Sequence, residues 1–276
     1  MKIRNILELL GIRSSPKSYG HFVDTWTLPA DGDVELARWK HPKEGDKRFG
    51  QEKVDALRTF LGPGDVAVDI GAHTGDTAVP MAVAVGEKGI VVALEPNPYV
   101  FSVLEANSRL NSGHGRIIPL PIAAVAESGP IEFTYSDSGF CNGGRHEGMS
   151  RWHHGHPFRL QVEGRHLPSV LADEHPDLID RIRYLKIDAE GHDHAVLESM
   201  ESIVKRVRPI IRAEINKHTS HDDRKYFFEY VESLGYDIHL HEDGVTPQGR
   251  RIGTADVMIE RHFDIFCVPK SPPPAS

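Results

Sequence analysis

The chain has 276 residues, 39% of them hydrophobic, enough for one substantial core with a small cap. Asp and Glu number 40 against 32 for Lys and Arg, giving a net charge of −8. That balance opposes a broad phosphate-binding face, so no nucleic acid is expected as a partner.

The amino terminus places Ile3, Ile6, Leu7 and Leu10 at i, i+3, i+4 and i+7, the stripe of one helix face. This face is expected to pack on the body of the protein or on a second copy in a homo-oligomer. Glu8 breaks the apolar stretch and no small-residue cleavage site follows, which speaks against a secretory leader and for a cytoplasmic protein. No run reaches the ~18 apolar residues of a membrane span, so no membrane partner is expected. Residues 1–50 are expected to form a helical cap, with the mixed polar stretch 12–60 supplying one wall of a substrate site. Cys141 and Cys267 lie far apart and show no metal-ligand spacing; they suggest a reducing compartment and no disulfide.

From about residue 60, strand and helix signals alternate, which predicts an α/β fold with a parallel sheet covered by helices on both faces. Val66-Ala-Val-Asp-Ile-Gly-Ala-His-Thr-Gly-Asp76 reads as a strand opening into a glycine turn. A helix follows to about Val85, stopped by Gly86. Ile90-Val-Val-Ala-Leu-Glu95 is the second strand, and Asn97-Pro98 supplies an N-cap and first position for a helix to Leu110. Further strands are expected at 117–120, 131–135, 184–187, 209–215, 236–240 and 263–268, with a helical stripe over Ala195, Val196, Met200, Ile203 and Val204. Tyr226, Phe227, Tyr230, Val231 and Leu234 mark a last helix, closed by Gly235. The Gly- and His-rich segment 136–158 reads as a substrate lid, and 271–276 as a loose tail. Arg181 with Arg183, and Arg250 with Arg251, read as solvated surface.

The glycine spacing selects among adenosine cofactors. A dinucleotide site wants G-x-G-x-x-G, and a phosphate loop wants G-x-x-x-x-G-K-[ST]; neither occurs. The order Asp69-x-Gly71-x-His73-x-Gly75 suits an adenosine cofactor without phosphate, of which S-adenosylmethionine is the common one. Its carboxylate would lie near the N–H groups that open the helix, and Asp69 would balance its positive charge. Glu95 stands close to the ~20 residues past the turn expected of a ribose-binding acid.

Ligands in an open α/β sheet sit beyond the carboxyl ends of the strands. The fourth predicted strand ends in Lys186-Ile-Asp-Ala-Glu-Gly191 and the fifth in Arg212-Ala-Glu-Ile-Asn216. If these are neighbours, Asp188 and Glu214 lie side by side, ready to take a proton from an acceptor hydroxyl. Alternatively Asp188, Glu214 and Asn216 bind a divalent cation such as Mg2+. His192 is a second candidate base and His218 is similar, while His194 faces elsewhere. His153, His154 and His156 lack a zinc pattern.

At these residues the chain resembles the FkbM-family S-adenosylmethionine-dependent methyltransferases. The matching pieces are Val68-Asp-Ile-Gly-Ala-His-Thr-Gly75, Ala93-Leu-Glu-Pro-Asn97, Leu185-Lys-Ile-Asp-Ala-Glu-Gly191 and Arg208-Pro-Ile-Ile-Arg-Ala-Glu-Ile215. His73 departs from the Asn frequent there. The resemblance implies a Rossmann-like class I methyltransferase domain over 51–270, with a seven-stranded sheet whose one antiparallel strand is 263–268. It also implies O-methylation of a sugar or other small natural product as acceptor. Asp69, Gly71, Ala72, His73, Gly75, Glu95, Asn97, Ile122 and Ala123 would then hold the donor, with Asp188, Glu214 and His192 serving the acceptor. A nicotinamide-dependent oxidoreductase and a non-catalytic S-adenosylmethionine-binding protein are the rival expectations.

Overall fold

The computed structural model describes residues 17–135, 143–144, 158–241 and 249–270. The expected amino-terminal helix, the tail, almost all of the lid and Cys141 lie outside these residues.

The chain begins with β1 (His21–Leu28) and β2 (Gly32–Trp39), then α1 (Gln51–Leu57), β3 (Val66–Ile70), α2 (Ala78–Val85), β4 (Ile90–Leu94) and α3 (Pro98–Asn107). Next come β5 (Arg116–Leu120), β6 (Ala123–Ala124), β7 (Gly129–Tyr135), β8 (Gly143–Gly144), β9 (Phe158–Arg165), α4 (Leu167–Glu174) and β10 (Ile182–Ile187). The remainder is α5 (Asp193–Ser199), α6 (Glu201–Val207), β11 (Ile210–Ile215), α7 (His221–Ser233), β12 (Tyr236–Leu240), β13 (Arg251–Ile252) and β14 (Phe263–Pro269).

The main sheet runs β13-β12-β14-β11-β10-β3-β4-β5. Strands β11, β10, β3, β4 and β5 are mutually parallel, and β14 is antiparallel to both its neighbours. The antiparallel strand is therefore the one expected, but the sheet has eight strands rather than seven. The eighth, β13, is a two-residue edge that pairs Ile252 with Ile238. Such a short element leaves no periodic signal to read.

The central strands β3 and β4 are largely apolar because helices cover both faces of the sheet. Val66, Val68 and Ile70 of β3, with Val92 and Leu94 of β4, face one core. Ala67, Val91 and Ala93 face the other, against Ala78, Met81 and Ala82 of α2 and Leu57 of α1. The period of two sends alternate residues to opposite layers.

Two additions frame the carboxyl ends of these strands. The described part of the expected helical cap is instead the antiparallel hairpin β1–β2. Asn107, fully buried at the end of α3, pins it: its Oδ1 accepts from Ala37 N–H at 2.7 Å and its Nδ2 donates to Ala37 O at 2.9 Å. The same Nδ2 donates to Thr74 O at 2.7 Å, so one amide joins hairpin, helix and glycine turn. The second addition is a small sheet, β6-β9-β7-β8, placed between β5 and α4. The expected strand at 131–135 belongs to it, as part of β7.

Two smaller expectations change. The stripe from Ala195 to Val204 is two helices that meet at Met200. Arg181 is not solvated surface: its guanidinium donates to Gly64 O and Lys88 O, joining the turns ahead of β3 and β4.

Gly71 carries the tightest backbone approach near the site. It adopts φ +77, and a Cβ there would lie 2.1 Å from the Asp188 carbonyl oxygen. Gly32 has the same φ, with nothing within 4 Å of a Cβ. Denaturant unfolding should therefore separate the two: Gly32→Ala should lose about 1 kcal/mol, from backbone conformation alone. Gly71→Ala should lose about 3 kcal/mol or more, because strand β10 must also move.

Candidate active site

A cavity of about 830 Å³ opens at the carboxyl ends of β3, β4, β5 and β10, within the ~300–1,000 Å³ usual for small-molecule sites. Its floor is the turn Gly71-Ala72-His73, one side carries Glu95 and Asn97, and another carries Asp188, Glu190 and His192. Ile122 and Ala123 line it after β5. Ile131, Phe133 and Tyr135, alternate residues of β7, form a wall from the inserted sheet, and Lys43 and Lys47 form one from the segment after the hairpin. That segment belongs to the 12–60 stretch expected to supply one wall of a substrate site.

Beneath the floor lies a buried ion pair. Lys186 of β10 stands in register with Asp69 of β3, and its Nζ lies 3.2 Å from Asp69 Oδ1. Asp69 is 0% exposed, and its Oδ2 accepts from the Thr77 hydroxyl at 2.5 Å. Lys186 also donates to Gly71 O at 3.2 Å and reaches Asp188 Oδ2 at 3.3 Å. Burial alone would lower the lysine's pKa, but Asp69 and then Asp188 outweigh it and hold Lys186 above the ordinary value. Asp69 thus faces Lys186 rather than the cavity, and its charge is already balanced from within the fold.

The turn itself is closed inward. Gly71 N–H and Ala72 N–H both donate to Leu94 O, at 3.1 and 2.8 Å, and His73 N–H bonds to Glu95. His73 sits at φ 49. Gly75, at φ 96, packs on Leu104 and Asn107 and does not line the cavity. It shapes the turn instead of touching a ligand, and the leading N–H groups of the turn already have partners.

Glu95 is a carboxylate that the cavity keeps dry. Burial pushes its pKa up to about 7, against the opposing effect of the Asn97 and His73 N–H groups. Asn97 N–H donates to Glu95 Oε1 at 2.8 Å, while Asn97 Oδ1 caps α3 by accepting from Tyr99 N–H at 3.0 Å. The Tyr135 hydroxyl approaches Asn97 from β7, and burial followed by Glu95 raises its pKa.

Strands β10 and β11 are parallel neighbours, paired to Ile187 and Ala213, so Asp188 and Glu214 do end side by side. Only Asp188 lines the cavity. Glu214 points to the far side, where Asn216 Nδ2 donates to its Oε2 at 2.9 Å and His262 Nε2 lies 3.4 Å from its Oε1. Burial, then Asp188, raises its pKa. Asn216 Oδ1 accepts from His218 N–H at 3.0 Å, so this oxygen is not turned toward a shared ion. Among the described residues no group of three or more His, Cys, Asp or Glu is placed to hold a metal, and the Mg2+ expectation finds no support there. The cluster His153, His154 and His156 lies outside them.

Several groups escaped the sequence reading. Lys186 was one, although a lysine inside an otherwise apolar strand is itself a signal of a buried partner. Glu190 was another: it lines the cavity at φ 52 and is pushed up to about 7 by burial, then by Glu214 and Asp188. Asp76 also lines the cavity, and against burial, Lys47 at 3.1 Å together with His73 and Lys53 holds its pKa below the ordinary range.

With this geometry in hand, relatives can be compared. A family model described as the methyltransferase FkbM domain matches residues 69–238. No curated protein matches the sequence. Among solved structures, an FkbM methyltransferase from Methylobacillus flagellatus is 14% identical with a TM-score of 0.48, over 76% of this chain. The chain spans 47% of that protein's length. An S-adenosylmethionine-dependent O-methyltransferase from Thermotoga maritima is 12% identical over 95% of this chain and 80% of its own, with a TM-score of 0.46. Fibrillarin from Aeropyrum pernix, bound to S-adenosylmethionine, is 14% identical over 93% and 100%, with a TM-score of 0.45. Among the described residues no helix is long and apolar enough to cross a membrane.

The raised value of Glu95 has a consequence for stability. The unfolded chain releases this proton near 4.5 and the folded one near 7, so the contribution to stability is complete below 4.5 and is lost as pH rises through 7. Glu95→Gln keeps the oxygen that accepts from Asn97 and removes the buried charge. Thermal or urea unfolding should find this variant more stable than the parent at pH 8, by up to about 3 kcal/mol. The difference should vanish at pH 4.

Proposed function

Since the chain belongs to the FkbM methyltransferase family, we propose that its cavity takes S-adenosylmethionine and serves methyl transfer to a hydroxyl of a sugar or other small natural product. The observation that carries this reading is one cavity lined by both a dry acid at the end of β4, Glu95, and an acid at the end of β10, Asp188.

The donor set fits. Glu95, aimed into the cavity with one oxygen engaged by the Asn97 N–H, retains lone pairs to accept from ribose hydroxyls. Ile122 and Ala123 offer apolar contact for a purine, with Phe133 and Tyr135 opposite them on β7. Lys47, on the wall after the hairpin, supplies positive charge for an amino-acid carboxylate. That role falls to it because the leading N–H groups of the glycine turn are engaged within the fold. When bound, S-adenosylmethionine supplies a methyl group on a sulfonium, already reactive toward in-line displacement.

The protein's share is then orientation. Asp188, anchored by Lys186 at 3.3 Å, accepts a hydrogen bond from the acceptor hydroxyl and aims its oxygen. His192 stands beside it at the cavity wall. The hydroxyl acceptor, a homo-oligomeric state, a cytoplasmic location and the lack of a nucleic-acid or membrane partner are part of the same proposal.

Calorimetry with S-adenosylmethionine, S-adenosylhomocysteine and NAD should show heat for the first two alone, and Glu95→Gln should weaken both about tenfold or more. Labelled methyl transfer to a panel of sugars and phenols should then identify an acceptor. Binding of NAD instead, or binding without transfer to any compound, would reject the reading. With an acceptor in hand, Asp188→Asn should lower kcat ~100-fold while leaving donor affinity within a few-fold.

A further inference from the structure

Four carboxylates crowd the ends of β10 and β11, and the structure gives three of them other work. Asp188 is anchored to Lys186 at 3.3 Å. Asp193, 3% exposed, accepts from the N–H groups of Ala189, Gly191 and Glu214 and so fixes the turn before α5. Glu214 is engaged by Asn216 and His262 away from the cavity.

Glu190 is left. It lines the cavity, and among the described residues no hydrogen bond or ion pair holds its carboxylate. Its backbone is left-handed at φ 52, followed by Gly191 at φ 95, and the bonds to Asp193 hold this arrangement in place. A non-glycine residue costs about 1 kcal/mol in that conformation, and such outliers gather at functional sites.

Resting on the reading above, the geometry points to Glu190 as the general base of the transfer, the group that removes the proton from the acceptor hydroxyl. The carboxylate takes that proton, an electron pair of the acceptor oxygen forms the bond to the methyl carbon, and the carbon–sulfur pair stays on sulfur as a neutral thioether. A base of this kind works best when its pKa lies near the operating pH. Glu190 lines the cavity with an exposed side chain, and partial desolvation, then Glu214 and Asp188, pushes its pKa up to about 7. The groups facing it are Glu214 of β11, Asp188 at the end of β10, Lys217 in the loop after β11 and Tyr135 from β7, with His192 two residues on.

Calorimetry on the full chain tests the assignment before an acceptor is known. S-adenosylmethionine and S-adenosylhomocysteine share every ribose and adenine contact, Glu95 included, so the ratio of their affinities reports the sulfonium charge alone. In a Glu95→Gln background, which removes the other cavity acid raised to about 7, this preference for the cation should rise roughly tenfold between pH 6 and pH 8 as Glu190 ionises. Added to that background, Glu190→Gln should abolish the rise and Glu190→Asp should keep it. With the acceptor identified, Glu190→Gln should lower kcat and remove the rise of kcat with pH, with KM little changed. With Glu95→Gln as the background, a preference that stays flat, survives the added Glu190→Gln, or disappears on adding His192→Asn instead would overturn the assignment. Binding of neither nucleoside overturns the cofactor reading and this inference with it. Binding of both with no Glu190-dependent step overturns this inference alone.

Discussion

The pairing of Asp69 with Lys186 is the constraint from which the site is built. Both groups are dry, so each charge would cost several kcal/mol without the other. A buried ion pair contributes little net stability compared with well-packed apolar residues, but it tolerates very few arrangements. Here it requires that β3 and β10 be neighbours and that Asp69 face Lys186 in register. The same Nζ reaches Gly71 O and Asp188, so the glycine turn and the carboxyl end of β10 are set by one cation. The 2.1 Å clearance that excludes a Cβ at Gly71 follows from that closeness.

Much of this was legible in the sequence, for identifiable reasons. Strands β3 and β4 carry near-continuous apolar runs because helices bury both faces of the sheet, while β10 and β11 interleave Arg183, Lys186, Arg212 and Glu214 among their apolar residues. The Asn97-Pro98 start of α3 was readable because capping is local chemistry. Glu95, Asn97, Ile122, Ala123 and Asp188 all line the cavity, since each follows a strand end.

What escaped depended on contacts distant along the chain. The roles of Asp69 and Gly75 shifted from touching a ligand to holding the turn, since Lys186 and α3 are their partners and neither lies near them in sequence. Nothing in Arg212-Ala-Glu-Ile-Asn216 reveals that Asn216 turns Glu214 away from the cavity. The hairpin β1–β2 was different, because its signal was present and passed over. Asp31-Gly32 lies between Leu28 and the alternating Val34 and Leu36, a pattern of turn and half-buried strand.

The acids of the cavity explain why a donor of this charge would suit the fold. Glu95 and Glu190 line the cavity and are raised, each first by burial, and Glu190 also by Glu214 behind it and by Asp188. Above neutral pH the ligand-free protein therefore holds uncompensated negative charge, while Lys186 is committed to Asp69 and Arg212 to Asp264. A cation entering the cavity relieves that repulsion, and a neutral ligand of the same shape does not. Methyl transfer converts a sulfonium into a neutral thioether, so the electrostatics that favour entry of the donor no longer hold its product. In the proposed reaction, the carboxylates lining the cavity would therefore favour entry of the charged donor and release of its neutral product.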